Sequence, residues 1–124
     1  MIRSYRELKV WEAAEEVFGM VCEDVKKFPN NRVVWIIADQ VVRSSGSIGA
    51  NIAEGFSRKT KNDIIRFFII ARGSASETEV WLIRAEKQKF ISFERLKNCL
   101  EKLLNIQKMI NSFNSKLRQS ERTY

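Results

Sequence analysis

The run Ser47-Ile48-Gly49-Ala50-Asn51-Ile52-Ala53-Glu54-Gly55, followed by Arg58-Lys59, holds the residues of this chain best suited to chemistry. It sets an amide and a carboxylate three residues apart in a segment whose apolar residues recur with helical spacing. On a helical wheel Arg43, Ser47, Asn51, Glu54 and Arg58 fall within about 80° of one another, beside the apolar stripe. Arg72 and Glu79 border the apolar face of the next helix in the same way. Three roles suit such a set. The side chains can bond to each other between helices and fix their register. They can face a ligand. Glu54 can act as a base, but no nucleophile, metal ligand or second catalytic carboxylate accompanies it.

Composition narrows the choice. The chain has no His, which removes the commonest general base and metal ligand. Cys22 and Cys99 stand far apart among apolar residues, so buried free thiols in a reducing compartment are expected. The chain therefore reads as a non-enzyme with no cofactor, no metal and no small-molecule substrate. Its 124 residues suffice for one domain with a core of its own. Apolar residues make up 44% and charged residues 30%, a globular balance. One Pro and five Gly leave few turns, which favours long helices. No secretory leader opens the chain and no apolar run reaches the ~20 residues of a membrane span. A cytoplasmic protein without a membrane partner is expected.

The elements that must position the polar set are four helices. The first covers residues 4–27, with Leu8, Trp11, Phe18, Val21, Val25 and Phe28 at helical spacing and a capping box of Ser4 and Glu7. Pro29 ends it. The second runs from a cap at Asn30 or Asn31 to Glu54, with Gly55 as the residue beyond its end and Val34, Ile37, Val41, Ile48 and Ile52 as core. Thr60 and Asp63 open the third, which carries Ile65, Phe68, Ile69, Ala75 and Leu82 and ends near Lys89. Ser92 caps the fourth, with Leu96, Leu100, Leu103, Ile110, Phe113 and Leu117. Short links predict an all-α, antiparallel up-down-up-down bundle over residues 1–117, with a polar tail at 118–124 that frays.

Two helices are more apolar than one core face requires. The segments Val33-Val34-Trp35-Ile36-Ile37-Ala38 and Ile64-Ile65 with Phe67-Phe68-Ile69-Ile70-Ala71 are apolar all round, and Trp81 lies off its core stripe. Surplus of this kind must be covered, which predicts self-association. The small residues of Ser44-Ser45-Gly46-Ser47, Gly49-Ala50 and Gly73-Ser74-Ala75-Ser76 predict a close crossing of the second and third helices.

The net charge is +7, which raises a polyanion as partner, although a small domain gains solubility from the same charge. The charge is uneven: −1 over residues 1–28, +2 over 29–59, +2 over 60–91 and +4 over 92–124. One basic group is Arg58, Lys59 and Lys61, continuing to Arg66. The other lies on the fourth helix and tail, with Lys97, Lys102, Lys108, Lys116, Arg118 and Arg122. Lys108, Lys116 and Arg118 are its candidate phosphate contacts. No zinc knuckle, RNP signature or GXXG loop joins them, so only sequence-tolerant contact with RNA or DNA is expected.

Several ordered elements carry a resemblance. They are Tyr5-Arg6-Glu7-Leu8 with Val10-Trp11, Phe28-Pro29, Gln40 with Arg43, Ser47-Ile48 through Asn51-Ile52-Ala53-Glu54-Gly55, Arg58, Phe67-Phe68 and Ala71-Arg72-Gly73-Ser74 with Glu77. In these the chain resembles the four-helix-bundle 23S ribosomal RNA intervening-sequence proteins, relatives of the accessory variability proteins of diversity-generating retroelements. It departs from them at Gly49, where the family usually has Pro, and in a segment 31–39 one residue longer than usual. The resemblance implies a left-handed bundle assembling as a homopentameric ring, with a basic surface for nucleic acid in the retroelement branch, where the protein partners a reverse transcriptase. It implies no enzymatic activity. Arg43, Ser47, Asn51, Glu54, Arg72 and Glu77 are expected to form a structural polar network across the second and third helices.

Overall fold

The computed structural model describes residues 2–120. The far end of the expected tail, Arg122 included, lies outside the described residues. A 3-10 turn, Tyr5–Glu7, precedes four helices: α1 Lys9–Val25, α2 Arg32–Phe56, α3 Lys61–Lys87 and α4 Phe93–Gln119. No strand occurs among the described residues. Arg118 and Gln119, assigned to the tail from sequence, complete α4.

The expected N-terminal signals act where the residues stand. The Asn31 side chain accepts from the Val34 N–H at 3.1 Å, Thr60 from the Asp63 N–H at 3.2 Å, and Ser92 from the Arg95 N–H at 3.0 Å. Each satisfies a donor that the first helical turn leaves open. The Ser4–Glu7 capping box also forms, but it closes the 3-10 turn, so α1 begins five residues later than expected. Gly55 is not the residue past the end of α2. It is helical and buried, and Ser57 caps the helix. A Cβ on Gly55 would lie 2.8 Å from Phe67 Cβ and 2.9 Å from Phe68 Cδ1, so the absent side chain lets α3 approach.

Val34, Ile37, Val41, Ile48 and Ile52 are all buried, as the stripe predicted. Phe68, Leu82, Leu103, Ile106 and Ile110 meet Val41, Ile48 and Ile52 in one core. Ile69, also expected inside, is 38% exposed, because one helical step past buried Phe68 swings it about 100° outward. The small residues behave differently from expectation. Cβ atoms on Gly46 and Gly49 would meet Phe18, and Glu15 with Trp11, which all belong to α1, while Gly73 has nothing within 4 Å. Gly46 and Gly49 make room for Phe18, Glu15 and Trp11 of α1, while the α2–α3 approach uses Gly55 and, from the expected small residues, Ser44, whose hydroxyl accepts from Thr78 at 3.0 Å. These pairs, 44 with 78 and 55 with 67, set the α2–α3 register.

Two ionic contacts tie α1 to α4 among the described residues, an exposed pair of Lys102 with Glu16 and a more buried clamp at Arg95. Arg95 Nε donates to the Asp24 carboxylate at 3.0 Å, and its terminal nitrogen reaches the Met20 carbonyl and Glu23. The hydrogen bond to Asp24 raises the Arg95 pKa above its ordinary value. Burial pushes the neighbouring Cys99 thiol up, with Asp24 adding to it. Cys99 is the buried thiol expected, whereas Cys22 is only half-buried. No helix among the described residues is long and apolar enough to cross a membrane.

Candidate nucleic-acid interface

The link between α2 and α3 is four residues, 57–60, and it carries Arg58 and Lys59. Thr60 stops its drift by capping α3, which places Lys61 in the first helical turn and Arg66 in the second. Lys61 Nζ donates to the Ser120 carbonyl at the end of α4. Phe68 of α3 stacks on Phe113 of α4 with ring centroids 4.2 Å apart. The two contacts bring the start of α3 to the end of α4. Two basic groups that are separate in sequence, Arg58-Lys59-Lys61-Arg66 and Lys116-Arg118, therefore share one end of the molecule. Lys108 does not join them. It lies eight residues before Lys116, about 12 Å away along the helix axis.

Carboxylates neutralise part of this end. Arg58 pairs with Glu54 at 2.9 Å, and Arg66 lies 4.0 Å from Asp63. Lys59, Lys108, Lys116 and Arg118 have no carboxylate within 4.0 Å among the described residues. Phe67 stands between the two arginines. The Arg58 guanidinium carbon is 4.6 Å from its ring centroid and that of Arg66 is 4.9 Å. From sequence, Phe67 reads as surplus apolar surface and as part of the family resemblance, not as part of the basic site. The available signal was an aromatic residue next to Arg66, but only the folded link brings Arg58 onto the same ring.

The polar set does not form the network expected across α2 and α3. Arg43 donates to Gln40 and Asn51 donates to the Ser47 carbonyl, both within α2. Glu54 meets Arg58 one turn on, with both side chains at least 41% exposed. Glu77 accepts from the Trp81 indole within α3. Two reach another helix, α4: Arg72 donates to Asn111 at 2.7 Å, and Glu79 accepts from Gln107. The physical reason is reach. Neighbours at i+3 and i+4 on one helix satisfy these groups before a partner across the interface can. The ionic pairs that do bridge helices, Asp24–Arg95 and Glu16–Lys102, were missed because their partners are 71 and 86 residues apart in sequence.

A family model described as 23S rRNA-intervening sequence protein matches residues 6–112. The chain belongs to that family. The match spans the segment from the 3-10 turn to the second half of α4 and includes Arg58, Lys59, Lys61, Arg66 and Phe67 of the basic end. A crystal structure of a protein of unknown function from the S23 ribosomal protein family, from Bacteroides thetaiotaomicron, is similar to it. The two share 28% identity and a TM-score of 0.78, over 85% of this chain and 97% of the other. A comparison with curated proteins found no match. Lys116 and Arg118 fall outside the segment that the family model covers.

Proposed function

We propose that this member of the intervening-sequence family is a non-catalytic, cytoplasmic accessory factor that binds RNA through the basic end of the bundle. The observation that carries the reading is the meeting of the α2–α3 link with the end of α4. It pools Arg58, Lys59, Lys61, Arg66, Lys116 and Arg118 against two acids among the described residues, Glu54 and Asp63. Clustered cations release counterions from a phosphate backbone, and that gain needs no base recognition. The family is described as 23S rRNA-intervening sequence protein, which makes RNA the first polyanion to test. In this reading the helices run antiparallel, up-down-up-down, in a left-handed bundle. The α2–α3 register pairs support the antiparallel part. Five copies close into a ring that multiplies the charge to about +35. The exposed residues Val33, Trp35, Ile36, Val80 and Ile83 support assembly. The same residues favour a second reading, a module that binds another protein, such as a reverse transcriptase or a ribosome-associated protein, without touching nucleic acid.

Fluorescence anisotropy with a labelled RNA hairpin separates the two. Binding in the micromolar range is expected at 50 mM salt. Four phosphate contacts would weaken it roughly 50- to 150-fold at 200 mM. The pairs Arg58→Glu with Lys59→Glu, and Lys116→Glu with Arg118→Glu, should each weaken binding if one surface is used. Lys61 is left intact because it ties the link to Ser120. No binding at 50 mM salt leaves the protein-interaction module as the better account.

A further inference from the structure

Two guanidinium groups beside one ring are more than a solvated basic face needs. Like charges on a free surface splay apart, since only water and salt hold them. Here Arg58 and Arg66 both lie within 5 Å of the Phe67 centroid. Arg58 has a second tether in Glu54 at 2.9 Å, while Arg66 has only the nearby charge of Asp63 at 4.0 Å. The ring itself is fixed at its base, where Phe67 Cβ packs against the Gly55 backbone. The side chains are nevertheless 41% and 63% exposed, so part of each planar group still faces solvent. The arrangement places two partly exposed, planar cations beside one ring before any ligand arrives.

We propose that the Arg58–Phe67–Arg66 cluster is a stacking site for unpaired nucleotides of RNA. The inference rests on the RNA-binding reading above and adds which part of an RNA the protein takes. A guanidinium plane is weakly hydrated on its faces, stacks on flat π systems and keeps its donors for phosphate. Nucleobases offer such faces only where they are unstacked, in loops, bulges and ends. A duplex hides the faces of its internal bases within the stack and presents phosphates, 2′-hydroxyls and base edges instead. Lys59, Lys116 and Arg118 supply charge at the same end for the flanking backbone, since none is held by a carboxylate among the described residues. A strand therefore finds both stacking planes and phosphate contacts, and a blunt duplex finds only the second.

The test compares a labelled single-stranded RNA of mixed sequence with a blunt RNA duplex of equal length, at 50 mM salt, on the full chain. The double variant Arg58→Lys with Arg66→Lys keeps both charges and removes both planes. Base stacking lost from a site of this kind weakens binding about 5-fold or more. The double variant should therefore lose at least that much for the single strand and leave the duplex within about twofold. Phe67→Leu keeps the apolar packing and removes the ring, and should shift the single strand in the same direction. Should Phe67→Leu disturb the fold, as circular dichroism would show, the lysine pair still decides. Equal loss for strand and duplex, or no loss for either, overturns the stacking site and leaves the phosphate-binding reading standing. Failure of the unaltered protein to bind either RNA overturns both.

Discussion

At the scale of single residues, two carboxylates in this chain look alike in sequence and differ in consequence. Glu54 sits in the most suggestive motif, yet its partner Arg58 is one turn away and both are open to water. An exposed pair of this kind contributes about 0.2–1 kcal/mol. Glu54→Ala should thus lower the melting temperature by no more than a few degrees, a reversal of what a buried inter-helix pair would give. Asp24 has no such motif, but it is buried and takes the Arg95 Nε–H at 3.0 Å from another helix. Asp24→Ala removes that acceptor and leaves Arg95, less than a third exposed, with the longer Glu23 contact. A hydrogen bond to a charged group contributes roughly 1.5–3 kcal/mol. Thermal melts followed by circular dichroism, at matched protein concentration, should therefore rank Asp24→Ala well below Glu54→Ala. The opposite order would restore Glu54 as the structural residue. The basic residues of the candidate site were legible because charge is written in composition. Their convergence was not, because it depends on the Lys61–Ser120 contact, 59 positions apart, and on a link whose path no periodicity encodes.

At the scale of elements, the fold was legible where local physics decides and illegible where packing partners do. Asn31, Thr60 and Ser92 cap helices because their short side chains meet nearby N–H groups whatever the rest of the molecule does. The stripes of α2 and α4 follow from one buried face. The glycines could not be assigned by that logic, since a missing Cβ says that something comes close without saying what. Gly55 faces Phe67 and Phe68, and Phe68 has no room to retreat because it is fully buried and stacked on Phe113. Gly55→Ala should destabilise the bundle by about 1–3 kcal/mol, as over-packing does. Gly19 of α1 is exposed, with nothing within 4 Å of an added Cβ. Gly19→Ala should stabilise by about 0.5–1 kcal/mol, the difference between the two residues inside a helix. Chemical denaturation of the two variants gives opposite signs on this account. A Gly55→Ala variant as stable as the parent would show that the α2–α3 approach adjusts freely.

At the scale of the whole molecule, the exposed apolar residues are arranged and not scattered. On α3, Ile69, Gly73, Ser76, Val80 and Ile83 recur at alternating steps of four and three and all face outward. That period is the seam of paired helices. On α2, Val33 and Ile36 are 61% and 56% exposed beside Trp35. A monomer gains nothing from holding these groups in water, so the proposed ring should bury them. Light scattering on the eluting protein should then give about 73 kDa for five chains of 14.5 kDa. Val33→Glu with Ile36→Glu alters groups the single chain already exposes, so helicity should survive while the mass falls toward 14.5 kDa. Gly73 reads the seam from the other side. Nothing within the chain lies near its missing Cβ, so in a monomer Gly73→Ala should stabilise the helix as at Gly19. If α3 seams meet a neighbouring copy, the added methyl intrudes between them and weakens assembly. A mass of 14.5 kDa for the parent at micromolar concentration, together with a stabilised Gly73→Ala, would place the surplus apolar surface in contact with a different protein and remove the ring. Loss of mass in both variants with helicity intact would show that the bundle folds alone and that its assembly is built from these two faces.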